Sequence, residues 1–243
     1  MTKLPAAKLY KFHVSNLNEI DEAMRRTALV VREAIGKGES FKVPSFTKLF
    51  ALLLGAWAEC RLQKLLHERN GFIEKERSVI SKKSTQLDQW KETIKVAFRR
   101  QYRLRKANFS SLDHSARERL KLLLALLEDD LRPVIELRNK LAHGQWTYPL
   151  TNDGHGIAQE QAQALRTENL LSLQFKKQII AVLSNAIHDL VVSKPTFERD
   201  FDVHDRHLRQ IQINLKKRSY TTYENLIRQK YERGRSLRRT QGK

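Results

Sequence analysis

Leu49-Phe50-Ala51-Leu52-Leu53-Leu54-Gly55-Ala56-Trp57-Ala58-Glu59-Cys60 is apolar on nearly every side of the helix it can form. A surface helix keeps one polar face, so a helix without one belongs at the centre of a bundle. Ser45, after Pro44, fits its cap, and the helix is expected to run to about Arg69 and stop at Asn70-Gly71. The apolar run is about half of the roughly 20 residues needed to cross a bilayer, so no membrane partner is expected. Glu59 is its single charge. A carboxylate there is costly unless it is paired or protonated, or unless the helix is already emerging to water, as Arg61, Gln63 and Lys64 allow.

The segments on either side repeat the helical period. Residues 1–13 read as a loose leader, and Ser15 fits the cap of a helix to about Ile35. Leu17, Ile20, Met24 and Val31 form its stripe, and Gly36 and Gly38 are its stop. A third helix is expected from about Ser84 to Ala107, with Leu87, Trp90, Ile94, Val96, Ala97 and Phe98 on its apolar side. Its second half carries Lys91, Lys95, Arg99, Arg100, Arg103, Arg105 and Lys106, with Tyr102 among them. Cations favour a helix C-terminus, but this density also suits a face that tracks phosphates. Asp113 fits the cap of a leucine-rich helix, and Pro133 is expected to kink or restart it. After Asn152-Asp153-Gly154, which is turn chemistry in a short hairpin or loop, a last core helix is expected from Glu168 to Ser193, closed by Pro195.

A domain boundary is placed at Pro195, giving a bundle at 1–195 and a basic helical extension at 196–243. Residues 201–243 hold 12 Lys and Arg against 4 Asp and Glu, a balance of +8. Two helices and a frayed tail from Arg233 to Lys243 are expected there. His204 and His207, with Asp205 nearby, have a spacing that two metal ligands can use, but no third-ligand pattern accompanies them, so they read as a surface helix.

The 243 residues carry 46 Lys and Arg against 27 Asp and Glu, a net charge of +19. That favours a polyanionic partner, nucleic acid ahead of an anionic membrane surface. One cysteine excludes an internal disulfide and argues against a thiolate metal site. No positively flanked apolar signal segment stands at the N-terminus, and the expectation is a cytoplasmic protein. Nine glycines and five prolines favour long helices over many strands. The expected fold class is all-α, an antiparallel helical bundle. No glycine-rich nucleotide loop and no nucleophile triad is present, which ranks kinase, NTPase and hydrolase readings low.

Chemistry concentrates in Glu136-Leu137-Arg138-Asn139-Lys140-Leu141-Ala142-His143-Gly144. Ile135, Leu137 and Leu141 fit an apolar face, and Gly144 fits a left-handed stop. Arg138 projects into that apolar arc. An arginine keeps its charge in a protein, so Arg138 either pairs with an internal carboxylate or lines a cleft and meets an anion such as phosphate. Glu59 and Arg138 are the two misplaced charges of the chain, and they are expected to meet. Trp146, Tyr148 and His155 follow closely, and either stack on a base or ribose or, as is commoner, close over the core.

Arg-Asn-Lys-Leu-Ala-His-Gly resembles the signature of the HEPN superfamily: Arg, a polar residue, three further residues, His and a small residue. A bare Arg-x4-His also occurs at Arg199 to His204, without the Asn, the apolar interior or the closing Ala-His-Gly. The resemblance covers roughly residues 14–195. It implies a helical bundle and a metal-independent endoribonuclease with no cofactor, often in a toxin–antitoxin or anti-phage defence setting. RNA is then the partner, with a homodimer that sets two signatures across a cleft, and an antitoxin or defence-system partner beyond it. By the resemblance, His143 is the general acid or base, Arg138 binds the scissile phosphate, Asn139 orients the phosphate or His143, and Glu59 holds Arg138. Arg99, Arg100, Arg103, Lys140 and Trp146 are the expected RNA contacts. Five residues separate Arg138 from His143, about 140° round one helix, which favours a site assembled from two copies. The other readings are a non-catalytic module that binds RNA or a protein partner, and a helical DNA-binding or assembly factor.

Overall fold

The computed structural model describes residues 4–105 and 108–241. Lys106 and Ala107 of the third expected helix, residues 1–3 of the expected leader and residues 242–243 of the tail lie outside them. The fold is an all-α bundle. Its α-helices are α1 (Ala6–Lys37), α2 (Lys42–Leu66), α3 (Glu74–Ser81), α4 (Gln86–Gln101) and α5 (His114–Leu126). They continue with α6 (Arg132–Ala142), α7 (Gln159–Thr167), α8 (Leu170–Val192), α9 (Lys194–Lys217) and α10 (Tyr220–Gln241). Among the described residues the only β pairing is one antiparallel bridge, Leu150 to Ile157.

The two helices that are apolar all round hold the centre. α2 buries Phe50, Leu54, Trp57, Ala58 and Leu62, and α8 buries Leu173, Ile179, Ile180, Leu183 and Ile187. They pack on each other, α1 and α6 flank α2, and α9 lies along α8. Phe197, Phe201, Leu208 and Ile211 of α9 share the same buried cluster as α2 and α8. The Phe197 ring meets Phe98 of α4 edge-on, with centroids 5.8 Å apart. His204 bonds Asp189 of α8 at 2.9 Å, and Arg199 pairs with its neighbour Asp200. Of the second Arg-x4-His, His204 is therefore tied to α8, while Arg199 stays exposed.

Several helix ends differ from expectation, each for a local reason. α1 starts at Ala6, so there is no loose leader from there on. Ala6, Ala7, Lys8 and Leu9 are good helix formers, and Pro5 offers its carbonyl to Lys8 and Leu9. Ser15 is no cap; its hydroxyl donates to Lys11 O, one turn back. Gly38, at φ 74°, ends α1. Gly36 stays helical and makes room for α10: a Cβ there would lie 2.8 Å from the Tyr231 ring. α2 begins at Lys42, which places Pro44 in its first turn, where no N–H is needed. α4 ends at Gln101 because Arg103 takes a left-handed φ of 51°, letting Leu104 N bond Arg99 O at 2.9 Å. Thr167 ends the unforeseen α7, and Asn169 caps α8 by accepting from Ser172 N, so α8 starts at Leu170 rather than Glu168. Pro195 stands in the first turn of α9, and α10 continues as helix through Arg233 to Gln241.

α5 passes into α6 through a widened π turn, Leu127–Leu131. Pro133 follows at once and lacks the N–H that would continue the regular ladder. The turn carries Asp130, whose carboxylate accepts from Gln212 of α9 at 3.0 Å. Burial pushes Asp130 above the usual carboxylate range, more than the Gln212 bond lowers it. A folded-state pKa above the unfolded one costs stability as pH rises through that range. Asp130→Asn should therefore be more stable than the parent at pH 7, with the gain fading below the ordinary aspartate range; urea unfolding at pH 7 and pH 3.5 measures it.

The α2–α6 contact rests on Gly55. A Cβ there would stand 2.4 Å from Arg138 Cβ, an atom fixed to the α6 backbone. Gly55→Ala gains up to about 1 kcal/mol in helix propensity, while forcing the helices apart typically costs about 1–3 kcal/mol. A net loss of stability is expected in chemical denaturation.

Candidate active site

Arg138 and Glu59 meet. Arg138 leaves α6 over Gly55 and its Nη2 reaches Glu59 Oε2 at 2.7 Å. Gly55 and Glu59 are one turn apart on α2, so the residue that admits the arginine stem and the one that takes its charge share a face. The side chains keep 28% and 45% of their exposure, so water screens the pair. Glu59 thus combines both expectations: it pairs with Arg138 where α2 is emerging to solvent. Its neighbour Cys60 is free, and burial, then the Glu59 charge, raise its thiol pKa.

Asn139 extends this pair. Its Oδ1 accepts from Arg138 Nη1 at 3.0 Å. Asn139 also lines a separate cleft of about 740 Å³ with Glu136, Lys140 and His143. Gln145, Thr151, Asn152, Ala158 and Gln161 complete the lining. Arg138 is not among the lining residues. The cleft opens where α6 ends. Gly144, at φ 76°, stops the helix, Gly144 N bonds Leu141 O, and Gln145 N bonds Lys140 O. His143 is the exposed residue just before that stop.

The loop after Gly144 forms the far wall. Thr151 N bonds Gly156 O and Ala158 N bonds Pro149 O, both at 2.8 Å. Gly154, at φ 75°, makes the turn. Lys140 holds the loop to α6 through Leu150 O at 2.5 Å, and Gln145 Oε1 accepts from Leu150 N. Trp146 packs on the core, and its Nε1 donates to Leu141 O at 3.0 Å. It serves as a lock on the end of α6, whereas Tyr148 stays exposed. Gln161 of α7 donates to Glu136 Oε2 at 2.8 Å.

The arginines of α4 stand elsewhere. Arg99 pairs with Glu92 at 2.8 Å. Arg100 donates to the carbonyls of Gly71 and Asn70, bracing the connection that precedes α3. None of Arg99, Arg100 and Arg103 lines the cleft. The structure therefore brings Arg138, Glu59 and Asn139 into one network, and Asn139, Lys140 and His143 into one cleft, with Asn139 common to both. Sequence reasoning missed Gly55, Gln145, Thr151 and Gln161; only the one-turn spacing from Gly55 to Glu59 carried a signal. Among the described residues, no cluster of three or more His, Cys, Asp or Glu side chains has a metal-holding arrangement. Compared with protein-family models, with characterised proteins and with solved structures, the chain matches none.

In a double-mutant cycle, Glu59→Gln and Arg138→Gln should give non-additive stability losses, with a coupling of about 0.2–1 kcal/mol for a partly exposed pair. Additive losses would show that the contact adds nothing.

Proposed function

We propose that this chain is a HEPN-type endoribonuclease that cuts RNA without a metal, acting as a homodimer. The observation that carries the reading is the continuous polar track from Glu59 through Arg138 to Asn139, which enters the cleft beside His143. RNA brings its own nucleophile, so such a site has only to move protons and stabilise an anion. The 2′-oxygen gives its proton to a general base and bonds to phosphorus. The bond from phosphorus to the 5′-oxygen breaks, and that oxygen takes a proton from a general acid. The products are a cyclic phosphate and a 5′-hydroxyl.

His143 is exposed and serves as one of these proton carriers, the role a histidine side chain most often takes in such chemistry. Arg138 stabilises the charge on the phosphate, and Glu59 fixes the direction of its guanidinium. Because Arg138 and His143 leave α6 toward different surroundings, two copies complete the site, each offering its arginine to the other's histidine. The high net charge supports RNA as the partner. A toxin or anti-phage role, with an antitoxin or defence-system partner, belongs to the same proposal.

One observation favours a second reading, a non-catalytic RNA- or partner-binding module. Arg138 already has two partners, and it lies outside the cleft that holds His143.

RNA cleavage in excess EDTA separates the two. The parent protein should cleave and leave cyclic phosphate ends, and His143→Ala should lose at least roughly 100-fold in rate. Equal cleavage by both would remove His143 from the chemistry. Binding without cleavage by either would favour the module. Mixing inactive Arg138→Ala and His143→Ala proteins should restore about a quarter of the activity if sites are shared between copies.

A further inference from the structure

The groove between α2 and α8 holds an arginine without a counter-charge. Arg61 and Lys64 stand about one turn apart on α2, and Asn185 and His188 stand about one turn apart on α8, so each pair shares a face. With Leu65 and Ser184 they line a pocket of about 200 Å³. It shares no lining residue with the His143 cleft. Arg61 is half-buried, and its guanidinium lies over the Trp57 ring, 5.2 Å from the centroid. Its Nη2 donates to Asn185 Oδ1 at 2.6 Å and to Ala181 O at 3.4 Å. Both partners are neutral. Nε and Nη1 have no hydrogen-bond partner among the described residues, and they remain open to water.

An arginine keeps its charge, so one drawn out of bulk water calls for an anion. Among the described residues no carboxylate lies within ion-pair distance of Arg61, and Asp21, which acts on it from farther away, is held by Lys177 at 2.5 Å. Burial lowers the Arg61 pKa more than Asp21 raises it. The neighbouring charges are already matched. Lys64 pairs with Glu68 at 2.8 Å, and His188 stands 3.6 Å from Glu68 and 3.5 Å from Asp189. Neither acid lines the pocket. The groove therefore lacks one negative charge, and its free donors come from both walls. Nε and Nη1 of Arg61 stand on α2, and the Asn185 amide nitrogen, left over once its oxygen accepts from Arg61, stands on α8. A planar carboxylate takes donors near its own plane, whereas a tetrahedral oxyanion takes them from several directions, and the arginine fork matches it. The volume is below the roughly 300–1,000 Å³ of sites that enclose a drug-sized ligand, which suits a compact group.

We propose that the groove between α2 and α8 binds a phosphate group, with Arg61 as its anchor through Nε and Nη1, Asn185 as a donor from the facing helix, and Lys64 adding its charge. The phosphate is either free inorganic phosphate or a diester of an RNA strand. Trp57 supports the guanidinium plane and Asn185 fixes its edge, so the anchor is set before the anion arrives. Arg61 lies two residues from Glu59 on α2, about 200° round the helix, so the site is on the side away from the Arg138 contact. No step of cleavage passes through it, and it stands or falls independently of the nuclease proposal.

The test uses the full chain carrying His143→Ala, so that the RNA stays intact. Phosphorus NMR line broadening follows inorganic phosphate, and fluorescence anisotropy at fixed salt follows a labelled ten-nucleotide single-stranded RNA. Arg61→Gln, added to this chain, should weaken binding of the ligand that occupies the site by at least roughly tenfold. Arg228→Gln makes the same charge change at an exposed position of α10 and should cost less than about threefold. If inorganic phosphate responds to Arg61→Gln, the site takes the free anion. If only the RNA responds, it takes a diester of the strand. If neither responds, or if Arg228→Gln weakens binding as much as Arg61→Gln, the proposal is overturned. Should Arg61→Gln lose its helical circular dichroism, Asn185→Ala, at an exposed position, decides in its place: weaker binding of the same ligand upholds the site, and unchanged binding overturns it.

Discussion

The structure depends on how closely α2 and α6 approach each other. At Gly55 the absent side chain lets the Arg138 stem lie directly on the α2 backbone. Arg138 then turns its charge outward to Glu59, one helical turn along. The contact satisfies two requirements at once. It closes an apolar interface without a gap, and it gives a charge on an otherwise apolar face both a partner and a route to water. Every polar feature at the end of α6 follows from the register this contact sets. Asn139 is left to accept from Arg138, while Lys140 and His143 fall on the flank where the loop after Gly144 returns.

That register also separates the chemistry into two places. Arg138 belongs to the α2 side and His143 to the cleft, so one copy of the chain offers the pair on different flanks of one helix. The nuclease proposal therefore leans on a second copy. α10 meets the rest of the bundle at both ends of its length. Tyr220 stands at its first position and lines a pocket with residues of α2, α6 and α7, and Tyr231 rests on Gly36 of α1. A C-terminal segment rich in arginine and lysine is thus seated on the bundle.

Most of the bundle was legible in the sequence because its strongest signals are local. The runs in α2 and α8 are apolar all round, and such helices have only one place to go. Asp113, Gly38 and Gly144 act where they stand, through a side-chain cap or a left-handed φ, so their roles could be read directly. The errors were at ends decided by less conspicuous residues. Ser15 looked like a cap but lies inside α1, since helix-forming residues before it extend the ladder. Arg103, not a glycine, ends α4. α3 and α7 are short and weakly patterned, and their helical state depends on what they pack against.

By itself the sequence determined the all-α class, the two central helices, the left-handed stop at Gly144, and the pair of charges most in need of each other. These follow from composition, periodicity and the cost of burying a charge, which act within one helix or at one residue. Only the tertiary structure decided that Gly55 is the point of closest approach, that Trp146 locks the end of α6, and that Arg99 and Arg100 serve as braces. It also decided that Thr47 and Tyr220, 173 positions apart, line one pocket. Such facts depend on which faces of distant helices are brought together, and that is fixed by packing the whole core at once.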